Sequence, residues 1–130
     1  MLPGNPYSAD CPTRRILDRI GDRWTVLIIG ILGGGDARFS ELRRSIEGIS
    51  QKMLTQTLRG LERDGLVTRT VFPEVPVRVE YSLTDAGRTL LEPLSMLRSW
   101  AIEHLGEVIA SQDAYDHTPV ARELAISKPR

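Results

Sequence analysis

Residues 40–84 read SELRRSIEGISQKMLTQTLRGLERDGLVTRTVFPEVPVRVEYSLT, and the periodicity changes partway along. Ser40 is a good N-cap for a helix that turns Leu42 and Ile46 inward and ends at Gly48. Ser50 caps a second helix, predicted to run to about Asp64 and closed by Gly65. Two short helices joined by a tight glycine-containing turn have the sequence pattern of a helix-turn-helix. From Leu66 the residues become β-formers: Leu66, Val67, Val71 and Phe72. After Pro73-Glu74-Val75-Pro76, the apolar Val77, Val79, Tyr81 and Leu83 alternate with Arg78, Glu80 and Ser82. That period of two belongs to a half-buried strand, and the two strands around a proline-bounded tip form a hairpin. A helix-turn-helix followed directly by a hairpin is a winged helix.

The second helix of the pair has two distinct sides. At 100° per residue, Met53, Leu54, Thr57, Leu58 and Leu61 fall together and face the core. Lys52, Thr55, Gln56, Arg59 and Arg63 fall opposite, on a stripe without acids, although Glu62 flanks it. These are the residue types that read DNA in the major groove. Arg and Lys donate to guanine, Gln pairs with adenine, and a Thr methyl touches thymine. Ser50 and Gln51 lie at the helix N-terminus, where backbone N–H groups favour a phosphate. An ordinary solvated face has the same polarity; the hairpin that follows favours DNA. In the hairpin tip, with Pro76 beside it, Arg78 is a candidate ligand for the phosphate backbone or minor groove. A salt bridge to Glu80 or Glu74 is the competing fate of its guanidinium. Pro73 and Pro76 stiffen the tip by fixing φ, which lowers the entropy lost on binding.

Upstream, residues 1–12 read as a loose arm with Pro3, Pro6 and Pro12. Thr13 is placed to cap a first helix running to about Ile20, with Ile16, Leu17 and Ile20 on one side. Gly21 breaks it, and Asp22 caps a helix from Trp24 to Leu32 that is apolar nearly all round, the pattern of a buried central helix. Gly33-Gly34-Gly35-Asp36 ends that helix, and Ala37 to Phe39 is a short extended piece. Downstream, Thr84 caps a long helix whose stripe is Leu90, Leu91, Leu94, Leu97, Ala101, Leu105, Val108 and Ile109. Pro93 is expected to kink or divide it. The fold class is therefore α+β, mainly α: a winged helix-turn-helix over residues 13–111, with a flexible arm at 1–12 and a polar, frayed tail at 112–130.

With 130 residues, 41% hydrophobic and 26% charged, the chain has material for one core. The apolar run Val26 to Leu32 is broken by Gly30 and is far shorter than the roughly 20 residues a membrane span needs. Positions 1–12 carry no secretory pattern, and a lone cysteine, Cys11, fits a reducing cytoplasm. Net charge is zero, but residues 13–88 hold 13 basic and 10 acidic residues, so a positive face can sit on a neutral chain. Gly33-Gly34-Gly35 lacks the flanks of a phosphate loop, and no catalytic constellation is visible. Cys11, His104 and His117 are too scattered for a zinc site. Neither enzymatic activity, nor a metal, nor a cofactor is expected.

Several blocks resemble HxlR-type bacterial regulators, a MarR-like winged helix family. They are Cys11-Pro12, Gly21-Asp22-Arg23-Trp24-Thr25, Arg38-Phe39-Ser40-Glu41-Leu42, Gly48–Leu54, Leu58–Val67, Val75–Thr84 and Trp100. The resemblance spans about residues 11–105. It implies a homodimeric regulator of transcription, with double-stranded DNA as partner, a recognition helix at Ser50–Asp64 and a wing near Glu74–Arg78. It also implies dimerisation through the first and the C-terminal helices, and an oxidant or electrophile sensor at Cys11 in some members; a small-molecule effector is the other option. Two departures are Asp22, where a lysine is frequent, and Gly60, where a longer helix former is usual.

A dimer also has a physical reason. The C-terminal stripe carries Met96 and Trp100 on its flank, more apolar surface than one small winged helix covers. Ile16, Leu94, Leu97, Trp100 and Leu105 are the expected interface, with Trp100 alternatively folded onto its own domain. A two-fold pair would present two recognition helices to a pseudo-palindromic operator. For Cys11, a small buried cysteine packing the helix start competes with the sensor. A protein-binding winged helix is the other function class, but it would show an apolar, aromatic face where this stripe is Lys, Thr, Gln, Arg and Arg.

Overall fold

The first helix is set by a proline. In the structure, a computed structural model that describes residues 4–118, α1 spans Pro12–Ile20, with Cys11 as N-cap and Pro12 in the first turn. The expected cap, Thr13, is two positions too late: proline's fixed φ suits the first helical residue, where its missing N–H has no partner to lose. Asp22 caps α2 (Arg23–Gly33), its Oδ1 accepting the Trp24 N–H at 2.8 Å. Thr25, Ile28, Ile29 and Leu32 of α2 are buried, whereas Leu27 is 46% exposed, so this helix is central without being enclosed on every side.

Strand β1 (Ala37–Arg38) leads straight into α3 (Phe39–Ser45). The N-cap is Arg38 rather than Ser40, because the Glu41 carboxylate accepts the Arg38 N–H at 2.8 Å and fixes the first turn two positions earlier. Helix α4 (Gln51–Arg63) starts as expected, with Ser50 Oγ accepting the Met53 N–H at 3.0 Å. Gly48 (φ +88°) and Gly65 (φ +75°) bracket α4 in left-handed turns that side chains with a Cβ adopt only under strain. Gly60 is buried beneath the Arg19 side chain, whose Nε bonds Asp64 Oδ2 at 2.8 Å. A longer residue at position 60 would displace that arginine.

Strands β2 (Val67–Phe72) and β3 (Arg78–Leu83) form the expected hairpin, paired antiparallel from Val67 with Leu83 to Phe72 with Arg78. The Val75–Pro76 peptide at its tip is cis. Strand β1 adds to the other side of β3, Ala37 opposite Tyr81, giving the sheet order β1-β3-β2. The core is made by Ile28, Ile29, Leu32, Leu42, Leu54, Leu58 and Leu61 from the helices, with Val67, Tyr81 and Leu83 from the sheet.

After β3 the chain departs from one long helix. Thr84 caps a single turn, α5 (Asp85–Arg88), and α6 (Leu91–Asp116) follows. The division lies at Thr89–Leu90, ahead of Pro93. The proline sits in the first turn of α6, where its missing N–H is among the donors that have no intrahelical acceptor anyway. Two further expectations are corrected here. Helix α6 continues five residues beyond position 111, and Leu94 is a core residue of its own domain, buried with Leu42 and Leu58 rather than open to a partner. The chain forms two units, the first ending at Leu94 and the second comprising α6 from Ser95 onward. The arm expected at 1–12 is described from Gly4, and much of the expected tail, residues 119–130, lies outside the described residues. No helix among the described residues is long and apolar enough to cross a membrane.

Candidate nucleic-acid interface

Helix α4 turns Leu54, Thr57, Leu58 and Leu61 into the core, and this fixes what its other side presents. Lys52, Gln56, Arg59 and Arg63 are exposed, and Thr55 is half-buried beside them. Among the described residues, neither Lys52, Arg59 nor Arg63 has a carboxylate partner; the ion pairs found are Arg19–Asp64, Arg78–Glu74 and Arg78–Glu80. Their charges are therefore available to an external anion.

At the start of α4, Ser50 spends its hydroxyl oxygen on the Met53 N–H, so its contribution to an anion would come through the backbone. Gln51 Oε1 accepts a long bond, 3.5 Å, from Arg43 Nη1 on α3. Arg43 is a candidate that the reading of α4 alone passes over. Its sequence signal is the pair Arg43-Arg44, which falls in the last turn of α3 and remains exposed.

In the wing, Pro76 is exposed at the tip, while Arg78 is internally engaged. Of the two fates open to this guanidinium, the structure shows the internal one, with both acids at once. Nη2 is 2.8 Å from Glu74 Oε2, Nε is 3.4 Å from Glu74 Oε1, and Nη1 bonds the Glu80 carboxylate. Cζ lies 3.8 Å from the Phe72 ring centroid, stacking the cation on an aromatic floor. The hydrogen bond from Arg78 holds the Glu74 carboxyl below its ordinary pKa, with the charges of Arg78 and Arg38 adding to it; the same contact raises Arg78.

Ile16, Leu97, Trp100 and Leu105 are each more than half exposed in the protomer, and the Trp100 ring stacks on His104 of the same helix at 4.6 Å. Cys11 is 5% exposed at the N-cap of α1. Its thiol is nonetheless shifted below the ordinary pKa. The Arg14 backbone amide contributes most, burial opposes it, and Thr13 and the Arg15 charge assist. The sign is that of an acid with a depressed folded pKa. The thiolate, and the stability it contributes, is present above the unfolded thiol's pKa and lost as pH falls through the folded value. Iodoacetamide alkylation of Cys11 should therefore show a lower pH midpoint in the native protein than in denaturant. A midpoint at or above the denatured value would remove the anionic character assigned to this thiol.

A three-stranded winged sheet, a helix pair with an acid-free outer stripe and an unpaired cationic face define a winged helix DNA-binding protein. The model of the HxlR-like helix-turn-helix family matches residues 19–109, and the chain belongs to this family. It is 46% identical over 110 residues to the HTH-type transcriptional regulator YtfH of Escherichia coli (strain K12), covering 85% of this chain and 87% of that one. The solved structure of the transcriptional regulator ytfH from Salmonella typhimurium matches with a TM-score of 0.79 at 42% identity, over 85% of this chain and 98% of that one. The reduced form of the transcriptional regulator YodB from Bacillus subtilis matches with a TM-score of 0.62 at 41% identity, over 70% of this chain and 90% of that one. YodB has also been solved after diamide treatment. The protein is thus a transcriptional regulator with a helix-turn-helix DNA-binding domain; its relatives are regulators and not enzymes.

Proposed function

We propose that the protein acts as a homodimer that reads a pseudo-palindromic operator with one α4 helix per half-site. The observation that carries this reading is the exposed stripe Lys52, Thr55, Gln56, Arg59 and Arg63, whose cations lack internal carboxylate partners among the described residues. In it, Gln56 and Arg59 read base edges from the middle of the stripe, while Lys52 and Arg63 neutralise phosphates. Ser50 and Gln51 seat a phosphate at the helix start. Pro76 and Arg78 bring the wing to the flanking backbone or minor groove. Leu97, Trp100 and Leu105 of α6 and Ile16 of α1 are the self-association residues; Leu94 is excluded from that set by its burial in its own domain. Two-fold symmetry puts the half-sites about 34–36 Å apart, one turn of DNA. Cys11, with its depressed pKa, makes an oxidant or electrophile the candidate effector, in keeping with the diamide-treated state of YodB. A regulator bound to genomic DNA works in the cytoplasm.

Selection of genomic fragments on the purified protein, with and without oxidant, tests the reading directly. Within a selected fragment, Arg59→Ala should weaken specific binding by ~1–3 kcal/mol without altering the melting of the protein, because the side chain is solvated. Equal affinity of wild type and variant at matched salt would remove α4 from the reading role.

A further inference from the structure

The wing carries a phosphate-binding group that is already occupied. Arg78 presents its planar fork to Glu74 through Nη2 and Nε, shares Nη1 with Glu80, and rests on the Phe72 ring. A carboxylate and a phosphate each offer that fork a pair of oxygens it can bind bidentately, so one substitutes for the other. The two acids are not equivalent. The Glu80 side chain is 25% exposed on β3, whereas Glu74 is 53% exposed at the solvent end of the hairpin. Glu74 is thus the partner that can be exchanged, while Glu80 and Phe72 keep the guanidinium in place. We propose that Glu74 sets the protein's affinity for DNA by occupying on Arg78 the position that a backbone phosphate takes in the complex.

This inference rests on the DNA-binding role of the wing given above. When the wing meets the duplex, Arg78 exchanges one anion for another, and the displaced Glu74 carboxylate is left beside the phosphates. The wild-type wing gains little net ion pairing, so most of the affinity falls to α4. Glu74→Gln keeps the side chain's size and one acceptor toward Arg78 but removes the competing charge.

The experiment uses wild type, Glu74→Gln, Arg78→Gln and the double variant. Each is titrated onto one DNA fragment selected by the wild type, by fluorescence anisotropy at two salt concentrations, with circular dichroism confirming the fold. Glu74→Gln should bind roughly two- to five-fold more tightly, the range of an exposed ion pair. That gain should be smaller when position 78 is Gln. A gain that is equal or larger without Arg78 would mean simple repulsion between Glu74 and DNA and would overturn the proposal. Unchanged or weaker binding by Glu74→Gln overturns it too. If Arg78→Gln has no effect in either background, the wing's phosphate contact itself fails, and this inference falls with it. A second readout follows the Glu74 carboxyl carbon by NMR. Its pKa, low in the DNA-free protein because Arg78 lies beside it, should rise when DNA takes the guanidinium. A value that stays low in the complex would show that no exchange occurs.

Discussion

Replacing Gly87 with alanine should destabilise the domain by about 3 kcal/mol, the upper end of what overpacking a core costs. A Cβ at this buried position would fall inside the van der Waals envelope of the Leu66 carbonyl oxygen, with the carbonyl carbon 3.1 Å and Leu83 Cδ2 3.2 Å away. The obstacle is backbone, and that backbone is held. The Leu66 oxygen accepts the Thr84 N–H at 3.1 Å. Thr84 Oγ1 donates to the Gly65 carbonyl at 2.6 Å and accepts the Gly87 N–H at 3.1 Å. One threonine thus ties the end of α4, the root of β2 and the start of α5, and alanine at 87 drives its methyl into that knot. Denaturant melts should show a lower midpoint with an unchanged slope. A variant melting within experimental error of wild type would mean that α5 moves away freely and that the junction is slack.

Trp100→Ala should shift the protein toward monomer, with a loss of ~3–5 kcal/mol in association if the ring is buried by the partner. That is roughly two to four powers of ten in Kd. Leu97, Ala101, Leu105 and Val108 lie within about 80° of arc on α6, and Trp100, Ile102 and Ile109 widen that arc further. A helix so apolar over so much of its circumference is one that something covers. Within the protomer, Trp100 keeps 55% of its surface exposed even with His104 stacked against it, and Leu97 and Leu105 are similarly open. Sedimentation at low micromolar concentration reads the result. Wild type and variant sedimenting alike, both as dimers, would place the ring outside the interface.

Legibility in the sequence followed the range of the interactions involved. Both sides of α4 could be read because 3.6-residue periodicity is local and its Ser50 cap lies in the adjacent residue. The starts of α1 and α3 shifted because competing caps sit within two residues of each other; Pro12 and Glu41 decide between them through backbone geometry. Leu94 and Leu97 belong to one apolar stripe, and no period tells which end of a stripe enters its own core. Arg78 had two acids within four residues and an aromatic across the strand pair, and the choice among them depends on the hairpin's twist and tip. The pairing of β1 with β3 leaves no local trace at all.

That pairing has a kinetic consequence. Ala37 and Tyr81 are 44 positions apart, while the hairpin closes over the residues between Phe72 and Arg78. Loop-closure entropy grows with the logarithm of length, so the β1 rung costs about 1.8 kcal/mol more to close than the hairpin. Inside the longer loop lie α3, the turn and the whole of α4. Helix α4 is therefore enclosed by the contact that is entropically the most expensive in the sheet. A fragment beginning after Arg38 would keep the helix pair and the wing but lose the strand that fastens them together. In the full chain, this rung is the kind of non-local contact that slows folding relative to the local hairpin.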